Sequence, residues 1–77
     1  MHIHGYEDTG DTAGTVAPVL LAEVTLNASA EELRAIARFL DDCADQMDRM
    51  GERFHHLHLA DRLTEFAASP HFVVARG

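Results

Sequence analysis

Residues 29–51, which read SAEELRAIARFLDDCADQMDRMG, carry the clearest structural pattern in this chain. Ser29 followed three residues later by Glu32 is the sequence pattern of a capping box, which opens a helix. Apolar residues then recur at steps of three and four, and Gly51 is the type of residue expected just past a helix end. The apolar residues are Leu33, Ile36, Ala37, Leu40, Cys43, Ala44, Met47 and Met50. The pattern predicts one long amphipathic helix over residues 30–50, with these side chains on a single arc of about 140°.

Alternating apolar residues on both sides of this helix predict strands. Residues 19–26 alternate first, residues 54–59 follow the helix, and residues 71–76 close the chain. Asp61 is expected to cap a short helix between the last two strands. The predicted architecture is an α+β, two-layer β-α-β-(short α)-β domain, in which the long helix packs on a three-stranded sheet.

The 77 residues are enough for one domain only. Residues 1–17 contain little that could be buried and are predicted to form a flexible or extended N-terminal arm, which leaves residues 18–77 as the single α+β domain. One helix can cover one face of a sheet, yet the last strand is apolar on both sides. The second face is therefore covered either by the arm or the short helix, or by a second copy of the chain or a protein partner, so that a homodimer is one prediction.

Charge and composition exclude several classes of function. Thirteen acidic residues against six arginines give a net charge of −7, which disfavours binding to nucleic acid or to an anionic membrane. The chain has neither the apolar run of a membrane span nor the basic and apolar start of a secretory signal. A single cysteine excludes an intramolecular disulfide framework. We expect a soluble, cytoplasmic protein.

Four acidic residues share one face of the predicted helix, and all belong to its C-terminal half or follow its end. They are Asp41, Asp45, Asp48 and Glu52, and they span about 60° around the helix axis. The helix macrodipole disfavours acids in this half by ~0.3–1 kcal/mol each, so stability does not explain their position. They form either a solvated face that keeps the protein soluble or a docking surface for a basic partner.

Histidines are the second conspicuous feature, with two His-x-His pairs among the six in the chain. His56 and His58 would share one face of a strand, where two neutral imidazoles can reach one zinc or nickel ion. A third ligand would have to come from Asp61 or His71. The alternative is that these histidines are exposed or hydrogen-bonded on a sheet face, with no metal.

The residue types that could act as nucleophiles are expected to have structural roles. Cys43 lies on the apolar arc, where burial is expected to raise its pKa and make it a small hydrophobic core residue. Ser29 is expected to cap the long helix, and Ser69 to precede a proline turn. We therefore predict no catalytic residue, no cofactor and no enzymatic activity.

Several short motifs, taken together, resemble the small bacterial immunity proteins of polymorphic toxin systems, and specifically the immunity protein 32 family. They are the start Met1-His2-Ile3-His4-Gly5-Tyr6, Glu23-Val24-Thr25, Ser29-Ala30-Glu31-Glu32-Leu33, His56-Leu57-His58-Leu59-x-Asp61 and Val73-Val74-Ala75. The resemblance covers roughly residues 19–76, and it implies a protein that binds and neutralises a cognate toxin.

Charge and resemblance agree on the kind of partner. An acidic domain could occupy the cationic groove in which a nuclease toxin holds phosphate, although the resemblance is equally compatible with a deaminase or a protease. The four helix acids would be the main contact, and His56, His58 and Asp61 a second one. The alternative functions are a metal-binding domain built on His56 and His58 and a structural homodimer.

Overall fold

The computed structural model describes residues 1–8 and 17–77. Its longest element, α1 (Ala30–Met50), is the predicted helix with the predicted bounds. The Glu32 N–H donates to Ser29 Oγ at 3.1 Å, and the Ser29 N–H donates to Glu32 Oε1 at 2.8 Å, which completes the predicted capping box. Gly51 ends the helix with a positive φ of 55°, and its N–H donates to the Met47 carbonyl. Both ends of α1 therefore follow from local sequence, as predicted.

Two short antiparallel ladders replace the predicted three-stranded sheet. β1 (His4–Gly5) pairs with β2 (Val19–Leu20), and β3 (His56–His58) pairs with β4 (Val73–Ala75). Across residues 1–8 and 17–77 the two ladders have no strand in common. The α+β class is confirmed, but the prediction of one three-stranded sheet is wrong.

The first predicted strand is the one that fails to join the sheet. Only Val19–Leu20 forms a ladder, and every residue from 19 to 26 is exposed, including Val24 and Leu26. The buried face of α1 is already occupied by aromatic and leucine side chains of residues 54–66. A third strand would find no uncovered apolar surface there, so the alternation of residues 19–26 does not produce a half-buried strand.

The second half of the chain forms a hairpin interrupted by helical turns. After α1 come a 3₁₀ turn (Gly51–Arg53), β3, α2 (Leu59–Arg62), a second 3₁₀ turn (Thr64–Phe66) and β4. β3 and β4 are shorter than the predicted strands, since Leu59 already begins α2. Asp61 lies inside α2, whose N-cap is His58 without a side-chain hydrogen bond, so the predicted capping role of Asp61 is wrong.

The core lies between α1 and the β3–β4 hairpin. Its buried residues are Ala35, Ile36, Phe39, Cys43, Phe54, Leu59 and Phe66. The rings of Phe39 and Phe72 meet edge to face, with 6.4 Å between their centroids. Burial raises the pKa of the Cys43 thiol and outweighs the Arg62 guanidinium, which acts in the opposite direction. The prediction that Cys43 is a core residue with a raised pKa is confirmed.

Only part of the predicted apolar arc of α1 is buried. Ala35 and Phe39, which lie outside the predicted arc, belong to the core, whereas five members of the arc are exposed, one of them Met50 at the helix end. We call the other four, Leu33, Ala37, Leu40 and Ala44, the apolar stripe. The physical reason is the size of the Phe39 ring, which buries more apolar surface than a leucine and so turns its own side of the helix toward the hairpin.

The N-terminal part is described only in pieces. Residues 9–16 of the predicted arm lie outside the described residues, and the part before them contributes β1. The division into an arm of residues 1–17 and a domain of residues 18–77 stays a prediction. No helix in the described ranges combines the length and the apolar character that a bilayer span requires.

Candidate protein-binding surfaces

The four helix acids form a continuous exposed surface, which we call the acidic ridge. Asp41, Asp45 and Asp48 lie on α1, Glu52 lies in the 3₁₀ turn that follows, and all four side chains are exposed. By helix geometry the three aspartates are centred about 170° around the axis from the buried positions of α1. The ridge therefore faces away from the hairpin, toward solvent.

The ridge is held by a stable element. α1 has a complete capping box at its start and a glycine stop at its end, and its opposite face is anchored in the core. Side chains on such a helix are positioned more firmly than side chains on a loop, which suits them to contact a partner. The last turn of α1 contains one basic residue, Arg49, and the ridge remains an acidic surface at the negative end of the helix dipole.

Three histidines share the outer face of the β3–β4 hairpin, and we call them the histidine face. The register pairs His56 with Ala75 and His58 with Val73, so these side chains project away from the core, opposite to Leu57 and Val74. The ring centroids of His56 and His58 are 5.3 Å apart, and those of His58 and His71 are 6.0 Å apart. The strand prediction correctly placed His56 and His58 on one face.

The histidine face contains no metal-binding group of the expected kind. His71, one of the two predicted third ligands, does lie beside His58, and Asp61 is exposed on α2. Nevertheless, across the described part of the chain no three His, Cys, Asp or Glu side chains are arranged to hold a metal ion. A zinc or nickel site at His56 and His58 stays a prediction without support from the geometry.

The two predicted contact surfaces lie on opposite sides of the molecule. The acidic ridge is on the outer face of the helix layer, and the histidine face is on the outer face of the hairpin layer, with the core between them. One flat partner surface cannot touch both. The structure thus separates His56 and His58 from the acids with which the sequence grouped them.

The apolar stripe is a surface that sequence reasoning missed, because its four residues were assigned to the core. Leu33 is 46% exposed and Leu40 is 43% exposed. The signal that could have revealed it is the total width of apolar positions on α1. The predicted arc together with Ala35 and Phe39 spans about 200° around the helix axis, which is wider than one packed face can cover.

The chain matches one family of known proteins. This small α+β domain falls into the class of immunity proteins, because the model of the family described as Immunity protein 32 matches residues 23–77. The match covers more than two thirds of the chain, and the chain therefore belongs to the immunity protein 32 family. This confirms the resemblance found in the sequence motifs. No curated protein and no solved structure matches the chain.

Proposed function

We propose that this protein binds and neutralises a cognate bacterial toxin by occupying a basic surface of that toxin with its acidic ridge. Family membership supports a protein toxin as the partner. The observation that carries the choice of surface is the row of exposed carboxylates on the C-terminal half of α1, which lowers helix stability and so is not explained by folding.

The chemistry of the ridge favours fast and selective association. Carboxylates aligned on one face attract a cationic groove over a distance of about one Debye length, ~8 Å at physiological salt, and raise the association rate. The same charges repel acidic proteins, which gives specificity. The protein would act by covering the toxin surface, without chemistry of its own, in the cytoplasm of the cell that encodes the toxin.

The test is co-expression and binding with the toxin encoded beside this protein, using a ridge variant and a charge-matched control. The ridge variant carries Asp41→Asn, Asp45→Asn and Asp48→Asn. The control carries Glu7→Gln, Glu23→Gln and Glu65→Gln, which removes three charges from exposed positions outside the ridge. Calorimetry gives the dissociation constant, and stopped-flow mixing gives the association rate.

We expect the ridge variant to bind at least about tenfold more weakly than the wild type, mainly through slower association, and the control to change by less than about threefold. The melting temperature of the ridge variant should not fall, since acids at a helix C-terminus are unfavourable. Equal losses in both variants would show that only net charge matters. Failure of the wild type to bind or protect would remove the proposed function.

The histidine face gives an independent comparison. A variant with His56→Asn and His58→Asn removes two imidazoles from the side of the molecule opposite to the ridge. If the ridge is the contact, toxin binding by this variant stays within about threefold of the wild type. A larger loss in the histidine variant than in the ridge variant would move the contact to the hairpin.

A further inference from the structure

The apolar stripe has no cover in the described part of the chain, although it lies on the best-formed element. Leu33, Ala37, Leu40 and Ala44 repeat at steps of four, three and four, and all are exposed. By helix geometry the stripe is centred about 50–90° from Asp48, Asp41 and Arg34, so that it runs beside the acidic ridge. A continuous apolar strip with charged residues along one edge is the usual pattern of a helix that packs on another helix.

We propose that the apolar stripe binds the same stripe of a second copy of this chain, with the two α1 helices antiparallel. This inference does not depend on the toxin. It locates the interface on the helix, whereas the sequence argument for a dimer rested on a sheet that the structure does not contain.

The sizes of the side chains favour the antiparallel arrangement. A two-fold axis at the level between Arg38 and Phe39 brings Leu33 opposite Ala44 of the partner subunit and Ala37 opposite Leu40 of the partner subunit. Every leucine then meets an alanine, and each such contact occurs twice. A leucine side chain that faces an alanine lets the two helices approach closely and interdigitate. A parallel pair in register would instead set leucine against leucine and alanine against alanine.

The charges along the edge of the stripe select the same arrangement. In an antiparallel pair the same edge of each helix lies side by side, as in antiparallel coiled coils. Arg34 then falls between the levels of Asp41 and Asp45 of the partner subunit, and the pairing is repeated by symmetry. Asp48 lies level with the first turn of the partner helix, where the dipole is positive. A parallel two-fold pair would instead place the charged edges of the two helices on opposite sides of the interface, where Arg34 would meet no acidic residue of the partner's ridge.

Two copies of a chain with a net charge of −7 repel each other at long range. This repulsion is screened beyond about 8 Å at physiological salt. The attraction between Arg34 and the aspartates of the partner subunit acts over a shorter distance, so salt screens it less. We therefore expect a modest interface with a dissociation constant in the micromolar range, below ~100 µM.

Sedimentation equilibrium of the full chain tests the interface. The stripe variant carries Leu33→Glu and Leu40→Glu, and the control carries Val19→Glu and Val24→Glu, which change two somewhat more exposed apolar positions outside α1. We expect dimers for the wild type and the control and a monomer for the stripe variant, with circular dichroism unchanged in all three. A wild type that stays monomeric at several hundred micromolar overturns the proposal, as does a dimeric stripe variant.

Charge reversal tests the orientation and separates this proposal from toxin binding. Arg34→Glu should weaken the dimer about tenfold, and adding Asp41→Arg and Asp45→Arg to that variant should restore it, because every pair is then reversed. The same triple variant should not bind a basic toxin, because two acids of the ridge have been replaced by arginine. Lack of restoration would reject the antiparallel pairing, whatever the outcome with the toxin.

Cysteine cross-linking tests the register. A variant with Leu33→Cys and Ala44→Cys should form a covalent dimer with copper phenanthroline in air, since the new thiols meet across the two-fold axis. Leu33→Cys alone should not, because the two copies of residue 33 would be about 16 Å apart along the helix axis. The wild type, whose one cysteine, Cys43, is buried, should form no covalent dimer under the same conditions and is the negative control. Efficient cross-linking of the single variant would contradict the register.

Discussion

At the residue scale, Gly51 shows how one backbone conformation ends the main element. Its φ of 55° and ψ of −127° lie in a region that residues with a Cβ atom rarely occupy, and its N–H closes the last turn of α1 on the Met47 carbonyl. An added Cβ would meet no atom within 4 Å, so the constraint comes from the backbone and not from crowding. The sequence position of Gly51 after the amphipathic run was sufficient to predict the stop.

We expect Gly51→Ala to lower the free energy of unfolding by about 1–3 kcal/mol, because alanine adds the strain of this conformation without any compensating contact. Urea unfolding followed by circular dichroism measures the change. Gly77→Ala at the chain end, where nothing lies within 4 Å either, is the matched control and should be neutral. A neutral Gly51→Ala would mean that the turn relaxes to a different conformation.

At the scale of the element, α1 combines a start and a stop set by local chemistry with an orientation set by packing. The capping box satisfies two backbone N–H groups, and its two hydrogen bonds involve only residues 29 and 32. Whether the side of α1 around Leu40 or the side around Phe39 is buried depends instead on which side chains the rest of the chain packs against the helix. For this reason the bounds were predictable and the buried face was not.

The capping box also makes the stability of α1 depend on pH. Hydrogen bonds from the backbone and side chain of Ser29 lower the pKa of Glu32 below its ordinary value of 4.5. The folded state thus favours the ionised carboxylate, and the unfolded state takes up the proton first as the pH falls. The contribution of Glu32 is fully present above the unfolded pKa and is lost as the pH falls through the lowered folded pKa.

We expect the wild type to be more stable than Glu32→Gln at neutral pH, and the difference to shrink as the pH falls from about 5 to 3. Urea unfolding at a series of pH values gives the difference in free energy. Glu31→Gln is the matched control, since Glu31 lies in the same first turn but takes no part in the capping box. A difference that grows on acidification would contradict the assigned hydrogen bonds.

At the scale of the whole molecule, the core is small and lies in the C-terminal three quarters of the chain. In the described part of the chain, its buried residues fall between Ala35 and Phe66, and the residues packed around it end at Val74. The match to the immunity protein family, residues 23–77, covers the same part. Within residues 1–8 and 17–34 no side chain is buried, so these residues add little to the core.

We therefore expect deletion of residues 1–17 to leave a domain that unfolds cooperatively, with a melting temperature within about 5 °C of the full chain, which corresponds to ~1 kcal/mol for a domain of this size. Loss of the β1–β2 ladder should have only a local effect. Differential scanning calorimetry of both forms measures this. A broad transition or a larger drop would show that the N-terminal part completes the fold.

The features that depend on neighbouring residues were predictable from the order of the residues alone: the α+β class, the bounds of α1, the burial of Cys43 and the common face of His56 and His58. These follow from capping, periodicity and alternation, which act over a few residues. Three further features became visible only in the folded chain: residues 19–26 stay out of the hairpin, Phe39 and not Leu40 enters the core, and the acidic ridge and the histidine face point in opposite directions. Those outcomes depend on competition among distant segments for one buried face of α1, and the large aromatic side chains bury the most surface there.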